Sequence, residues 1–439
     1  MEIGPLGIGI LVTISTVAIL ATGVPVAFGL GLVSVAFLII FDGWSAISVL
    51  AETFYHGIAE FSLVSIPMFI VMGVAVAISP AGKDLYEAID RWLHHVPGGL
   101  IISNIGACAI FAALSGSSPA TCAAIGKMGI PEMRTRGFPD GLATGAIAAG
   151  GTLGILIPPS ITMIVYGIST ETSIGRLFLA GVLPGLLLTA MFMAWCLYRA
   201  WRHGYKFSEK FGEYSLKEKL EILPRVLPFL AIIAGVLFVL YGGVATPSEA
   251  AGVGALFVLI LVAVIYKVWQ PKRIWFILSD SMKESVMILM IIASSALFSY
   301  VLSSLFVTQA TAEYIVSLDV NKWILMGLIN LFLLVAGFFL PPVAVILMTA
   351  PILLPIITGL GFDPYWFAVI MTINMEIGLI TPPVGLNLYV INGIAPDISL
   401  PTILKGAMPF MVVMVLGIVI ISIFPGIATW LPTAVMGPG

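Results

Sequence analysis

Apolar runs of about 20 residues, the length that one α-helix needs to cross a bilayer, follow one another along most of this chain. The chain has 439 residues, of which 60% are apolar and only 9% are charged. An ordinary soluble domain has about 25% charged residues. The composition therefore excludes a soluble enzyme, a nucleic-acid-binding protein and a disordered protein, and it predicts an all-α polytopic membrane protein in a lipid bilayer.

Ten spans are predicted from the runs between Gly, Pro and charged residues. They cover residues 5–22, 24–41, 62–80, 139–168, 174–198, 225–242, 247–267, 284–304, 366–392 and 405–425. Two further apolar stretches, 98–130 and 323–358, are broken near the middle into halves of about 15 residues, which is short for a crossing. Each is predicted to form a re-entrant hairpin, with its tip at SGSSPAT (115–121) or at FFLPPVAV (338–345).

The basic residues predict which side of the membrane the connections face. Of the 19 Lys and Arg residues, 17 fall in five connections, at 80–98, 127–139, 199–225, 267–283 and 393–405. Placing these connections in the cytoplasm satisfies the positive-inside rule and puts both termini on the outer side. The stretch 42–62 is amphipathic, so it is predicted either to lie flat at the outer interface or to form an ordinary loop.

Glycines and prolines repeat along the chain at a spacing of 224 residues. Gly154, Pro158 and Pro159 recur as Gly378, Pro382 and Pro383. Each half has an odd number of spans and one hairpin, so the second copy is inserted upside down. The predicted organisation is a first inverted repeat at 1–198 with a broken span at 139–168, a cytoplasmic linker at 199–224, and a second inverted repeat at 225–439 with a broken span at 366–392.

The two hairpin tips and the two broken spans are the predicted chemical site. Gly and Pro interrupt helical hydrogen bonding, and carbonyl groups freed in this way are tolerated inside a membrane only where another group satisfies them. Sodium does so together with hydroxyl ligands, and half-helix N-termini favour an anionic substrate. Two pseudo-symmetric sodium sites are therefore predicted. The first comprises Ser115, Gly116, Ser117, Ser118, Gly154, Ile157 and Pro158, and the second comprises Gly337, Pro341, Gly378, Thr381 and Pro382.

Two other polar residues are candidates for substrate binding or coupling. Glu376 is the one acid deep inside a predicted span, so it is predicted either to couple to ions or to face a water-filled cavity. Asn387 lies one turn past the second break and is predicted either to contact the substrate or to bond another helix. The chain has no nucleotide-binding, serine-hydrolase or metalloprotease motif. The protein is therefore predicted not to be an enzyme and not to need an organic cofactor. Transport is predicted to be driven by an ion gradient.

Six stretches carry a family resemblance. They are SIPMFIVMG (65–73), LSGSSPATCAAIG (114–126), GGTLGILIPPS (150–160), ATPSEAAGVGA (245–255), APILLPI (350–356) and GLITPPVGLNLYV (378–390). Together they resemble the large membrane subunit of the tripartite ATP-independent periplasmic (TRAP) transporters, the DctM-like family. The resemblance implies an elevator-type transporter in a bacterial inner membrane that imports an organic acid with sodium. In such a membrane the outer side, to which the basic residues assign both termini, is the periplasm. The resemblance also implies two partners, a small four-helix membrane subunit and a periplasmic substrate-binding protein.

Three other functions stay open on the sequence alone. One is a stand-alone symporter of sodium and a divalent anion, with related architecture and no partners. Another is a channel, against which the inverted repeat argues because it is typical of alternating access. The third is a membrane enzyme, for which Glu376 would lack a nucleophile or a metal partner.

Overall fold

The computed structural model describes residues 4–93, 99–202, 215–317 and 320–437. In these residues the backbone forms α-helices and short 3-10 turns, without any strand. Eight of the described helical segments are long and apolar enough to cross a membrane. The predicted all-α, multi-pass architecture is confirmed.

The described part of the first half contains ten α-helices. They are α1 (Pro5–Ala21), α2 (Val26–Asp42), α3 (Ile47–Ile58), α4 (Ser65–Ile78), α5 (Ala81–Leu93), α6 (Gly99–Ser115), α7 (Ser118–Thr135), α8 (Asp140–Thr152), α9 (Ile161–Ser169) and α10 (Ile174–Arg202). The short helix α11 (Leu216–Glu221) lies in the predicted linker, whose residues 203–214 are outside the described part of the chain.

The described part of the second half contains ten more. They are α12 (Leu223–Tyr241), α13 (Pro247–Tyr266), α14 (Pro271–Ser304), α15 (Val307–Ser317), α16 (Lys322–Phe339), α17 (Pro342–Gly359), α18 (Pro364–Leu379), α19 (Leu386–Ile394), α20 (Leu400–Ile423) and α21 (Gly426–Met436). The division into two inverted repeats and a linker stays a prediction.

Both predicted hairpins are pairs of contacting helices joined by two residues. Helices α6 and α7 are joined by Gly116 and Ser117, and α16 and α17 are joined by Leu340 and Pro341. Gly116 has a φ of +59°, which an L side chain rarely adopts, so the sharp first turn needs a glycine. In the second turn, Pro341 caps a helix that begins with another proline, a position that needs no backbone N–H.

The two spans that the sequence predicts to be broken are interrupted in the structure. Helix α8 ends at Thr152, a 3-10 turn follows over Leu153–Ile155, and α9 begins only at Ile161. Helix α18 ends at Leu379, and α19 begins at Leu386 after Gly385, which has a φ of +44°. Each interruption contains a cis peptide bond between two prolines.

Several predicted connections are helical, which corrects their bounds. The connection at 80–98 contains α5, the first hairpin continues to Thr135 rather than 130, and α14 begins at Pro271 rather than 284. Charged residues mark these segments as polar, but a helix that projects beyond the membrane also carries charges. In α5 the charges have partners: Asp84 accepts a hydrogen bond of 2.8 Å from Tyr266, and Asp90 lies 3.2 Å from Arg136.

The amphipathic stretch 42–62 is helical rather than an ordinary loop. It contains α3, which packs against α14 and has no buried residue. At the contact, a Cβ placed on Gly57 would lie 2.7 Å from Cβ of Ala296. Only a glycine permits so close an approach, so Gly57 lets α3 pack closely against α14 at this point.

The two halves are interlocked around the hairpins. Helix α19 packs against α7 and α8, while α9 packs against α17. Each helix that follows a break therefore contacts the hairpin of the other half. Helices α8 and α20 cross at Gly145 and Gly406, where a Cβ on Gly145 would overlap the carbonyl group of Gly406. Small residues at such crossings let helices approach closely inside a membrane.

Candidate functional site

The first hairpin tip and the first broken span are in direct contact. A Cβ placed on Gly154 would lie 2.6 Å from the carbonyl oxygen of Ser117, and one on Gly116 would lie 2.9 Å from the carbonyl oxygen of Pro159. Neither position has room for a side chain, because the facing atoms are backbone. The structure therefore brings together the tip and the break that the sequence assigns to one site.

Hydroxyl groups surround the first tip. The hydroxyls of Ser115 and Thr121 lie 2.8 Å apart, and Thr121 donates a hydrogen bond of 2.9 Å to the carbonyl oxygen of Ser117. Thr121 is fully buried. The sequence prediction missed Thr121, although its position one turn into α7 places it on the same side as Ser117 and Ser118.

The first break is closed by its own hydroxyls. Ile155 has a carbonyl oxygen that accepts hydrogen bonds from the hydroxyls of Ser160 and, at 3.1 Å, Thr162. Pro158 is buried, and Ile157 packs against Gly185, whose Cβ would lie 2.7 Å from the Ile157 side chain. Side chains thus satisfy part of the backbone that leaves helical hydrogen bonding between α8 and α9.

The second hairpin tip and the second broken span are also in contact. A Cβ placed on Gly378 would overlap the carbonyl oxygen of Gly337, and the backbone N–H of Val384 donates a hydrogen bond of 3.2 Å to the carbonyl oxygen of Phe338. Thr381 donates 2.5 Å to the carbonyl oxygen of Ile377. The second site therefore repeats the close contact between tip and break, at the positions predicted from the repeat.

The two breaks differ in exposure. Pro158 and Pro159 are buried, whereas their counterparts Pro382 and Pro383 are exposed, and Pro341 at the second tip is half-buried. The second tip also lacks the serines of the first, because Leu340 and Pro341 occupy the turn. The same backbone arrangement is therefore lined by hydroxyls at the first site and mainly by apolar side chains at the second.

Glu376 and Asn387 are fully buried. Neither carboxylate oxygen of Glu376 has a hydrogen-bond partner among the described residues. Asn387 uses its amide nitrogen twice, donating 2.8 Å to the hydroxyl of Ser118 and 3.2 Å to the carbonyl oxygen of Ala148. The alternatives of ion coupling for Glu376 and substrate contact for Asn387 stay predictions. The bonds of Asn387 show that it joins helices of both halves.

The oxygen atoms available as ligands at both sites suit a hard monovalent cation. They are hydroxyl and carbonyl oxygens, which sodium accepts. Within the described residues there is no group of three or more His, Cys, Asp or Glu side chains that would hold a transition metal. The glycine contacts at Gly154 and Gly378 keep bulky groups away from the backbone oxygens of each tip.

Residues 13–427 match the family described as "Tripartite ATP-independent periplasmic transporter, DctM component". The chain belongs to this family. Similar proteins include the "C4-dicarboxylate TRAP transporter large permease protein DctM" of Pseudomonas aeruginosa, which is 37% identical over 87% of this chain and 89% of that protein. The protein of the same name from Vibrio cholerae is 36% identical and covers 98% of both chains.

The TRAP relatives include permeases named for other substrates. The "Sialic acid TRAP transporter large permease protein SiaM" of Vibrio cholerae is 31% identical over 96% of this chain and 97% of that protein. The crystal structure of the YdaH transporter of Alcanivorax borkumensis shares the fold, with a TM-score of 0.65 over 91% of each chain and 15% identity. The DctM component described in this structure is therefore a transporter subunit and not an enzyme.

Proposed function

We propose that this DctM component imports an organic acid together with sodium. The observation that carries the proposal is the contact between each hairpin tip and the broken span of its own half, at Ser117 with Gly154 and at Gly337 with Gly378. Such contacts place backbone carbonyls and half-helix ends together inside an apolar protein. Inverted repeats with broken helices at equivalent positions are typical of secondary transporters.

The substrate we propose is a small organic acid that carries a carboxylate. Relatives that cover this chain almost completely are named for C4-dicarboxylates and for sialic acid, both of which are carboxylates. The N-terminal ends of α7, α9, α17 and α19 all begin at the tips or breaks. These ends carry partial positive charge and favour an anion at the same place as the cations.

Sodium supplies the driving force in this proposal. Two sodium ions that accompany one monovalent anion carry one net positive charge inward. A membrane potential of 100 mV adds about 2.3 kcal/mol for each such charge, beyond the sodium concentration gradient itself. The oxygen ligands named at the two sites are the groups expected to hold the two ions. Glu376 is the residue expected to couple to ion binding.

The transport step in this proposal is an elevator movement. The hairpins α6–α7 and α16–α17, with the broken helices α8–α9 and α18–α19, form the moving part, since they pack on one another. Helices α12, α13 and α14 carry many exposed apolar residues and form the static part. Helix α5 bridges the two parts, because Asp84 bonds Tyr266 of α13 while Asp90 pairs with Arg136 after α7.

We propose that the chain works with two partners, in a bacterial inner membrane, with both termini in the periplasm. The partners are a small four-helix membrane subunit and a periplasmic substrate-binding protein, as the tripartite name of the family indicates. The positive-inside distribution of 17 of the 19 basic residues supports this orientation.

Uptake in proteoliposomes tests the proposal. Radiolabelled succinate and sialic acid are offered under an inward sodium gradient to the chain with both partners, to the chain with the small subunit only, and to the chain alone. We expect uptake only in the first case and only with sodium, and no uptake when choline replaces sodium. Uptake by the chain alone would instead support the stand-alone symporter, and uptake without sodium would contradict the coupling.

A further inference from the structure

Asn387 forms the side-chain contact that joins the two candidate sites. It is the second residue of α19, directly after the exposed second break, and its side chain is fully buried. Its partner Ser118 is 269 residues away in the sequence and is the first residue of α7 at the first hairpin tip. The side-chain amide of Asn387 therefore links the start of α19, in the second half, to the start of α7 at the first hairpin tip.

The same amide holds both elements of the first site. Ser118 follows Ser117, whose carbonyl oxygen abuts Gly154. The second acceptor, the carbonyl oxygen of Ala148, lies on α8 one turn before the first break. A shift of either the tip or the break would therefore change the position of Asn387. Because Asn387 begins α19, the shift would also reach the segment between Thr381 and Gly385.

The hairpin tip of the second half has no equivalent link among the described residues. At the 224-residue spacing the counterpart of Asn387 is Met163, whose side chain carries no hydrogen-bond donor, and its neighbour Thr162 bonds Ser160 and Ile155 inside its own break. The counterpart of Ser118 at the start of α17 is Pro342, which has no hydroxyl. Among the described residues, α9 and α17 pack without a side-chain hydrogen bond between them.

We propose that Asn387 is a positioning residue that couples the first cation site to the second, so that sodium binds cooperatively. The inference rests on the proposed sodium coupling. A cation that orders the tip at Ser117 and Ser118 fixes the acceptor of Asn387, which in turn fixes the start of α19 and the backbone around Thr381. Two sites that share a bistable element raise each other's affinity by the same factor, typically 5- to 150-fold.

Equilibrium binding of radioactive sodium to the purified full-length chain tests the coupling. Asn387→Leu keeps the branched shape and the number of side-chain heavy atoms and removes both donated hydrogen bonds, and Asn387→Ser is the smaller alternative if the Leu variant does not give monodisperse protein. Asn392→Leu is the matched control, since Asn392 lies on the same helix but bonds only the nearby carbonyl oxygen of Ile398 at 3.0 Å. Size-exclusion profiles and melting temperatures in choline show that each variant is folded.

We expect a Hill coefficient for sodium of about 2 in the wild type and in Asn392→Leu, and of about 1 in the Asn387 variants, with the sodium concentration for half-saturation raised about tenfold. A role in folding alone would lower the melting temperature in choline and leave the Hill coefficient unchanged, and that result would overturn the inference. Absence of sodium binding in the wild type would overturn the proposed sodium coupling itself. The two failures are therefore distinguished by the wild-type curve.

Discussion

The two hairpin tips share one backbone contact and differ in the chemistry around it. At both hairpins a glycine of the broken span faces a backbone carbonyl, that of Ser117 in the first turn for Gly154 and that of Gly337, near the end of α16, for Gly378. The first tip is lined by hydroxyls and its break is buried, whereas the second tip contains Leu340 and Pro341 and its break is exposed. The comparison teaches that a close contact between backbone atoms can occur at both hairpins while the side chains around it differ.

Alanine at either facing glycine should have the largest effect. Gly378→Ala and Gly154→Ala place a Cβ against backbone, which cannot yield as a flexible side chain would, so the tip must separate from the break. We expect sodium-driven uptake to fall more than tenfold, a loss of over about 1.4 kcal/mol. Gly393→Ala on α19 is the control, since no described atom lies within 4 Å of its Cβ position. Normal uptake by both variants would contradict the claim that the contact between hairpin and break is needed for transport.

Loss of one hydroxyl should affect the second site more than the first. Thr381 supplies a hydroxyl at a tip that has no serine, while Ser117 has Ser115 and Thr121 beside it. We expect Thr381→Ala to raise the sodium concentration for half-maximal uptake about tenfold and Ser117→Ala about threefold, on the scale of one hydrogen-bonding ligand. Thr433→Ala, exposed on α21, serves as the control. Equal sodium dependence in all three variants would contradict both assignments.

Thr121 should matter at the first site only. Thr121→Ala removes the hydroxyl that bonds Ser115 and the carbonyl oxygen of Ser117, so the tip loses a support but keeps its glycine contact. We expect a twofold to threefold rise in half-maximal sodium for uptake, about one net hydrogen bond at most. Thr349→Ala is the matched change in the arm of the second hairpin, where the hydroxyl bonds only its own helix. A larger rise in half-maximal sodium for Thr349→Ala than for Thr121→Ala would contradict a role of the Thr121 hydroxyl at the first site.

The ion pairs at the base of the first hairpin should have the smallest effect. Arg134 lies 3.0 Å from Asp140 and 2.7 Å from Asp397. The hydrogen bond from Arg134 lowers the pKa of Asp397 below its ordinary value of 3.8. The stabilisation is therefore fully present above pH 3.8 and is lost as the pH falls through the lowered pKa.

Asp397→Asn should accordingly lower the melting temperature at pH 7 by about 2 °C or less, because the pair is exposed. The difference from the wild type should shrink as the pH is lowered toward about 3 or as salt is raised to about 1 M. Thermal unfolding in detergent measures both trends. A difference that grows on acidification would show that the carboxylate is not stabilised by Arg134.

The sequence predicted where the hairpin tips and the broken spans lie and that each tip shares a site with a break. The 224-residue spacing of Gly154 and Gly378 identified both breaks, and the Pro and Ser residues identified both tips. It did not predict the bond between Asn387 and Ser118, because hydropathy and spacing carry no information on which side chains meet across two halves. The sequence also does not predict helix α5 within the connection at 80–98, since the charges of α5, which pair with Tyr266 and Arg136, have the same pattern as those of a solvated connection.

Counting the sodium ions bound by the purified chain tests the central claim most directly. Two sites, one at each tip, should give about two ions per wild-type chain at saturation, and the sodium concentration for half-occupancy of the affected site should rise about threefold in Ser117→Ala and about tenfold in Thr381→Ala. Occupancy curves unchanged in both variants, or no bound sodium in the wild type, would contradict the assignment of the cation sites to the hairpin tips and breaks.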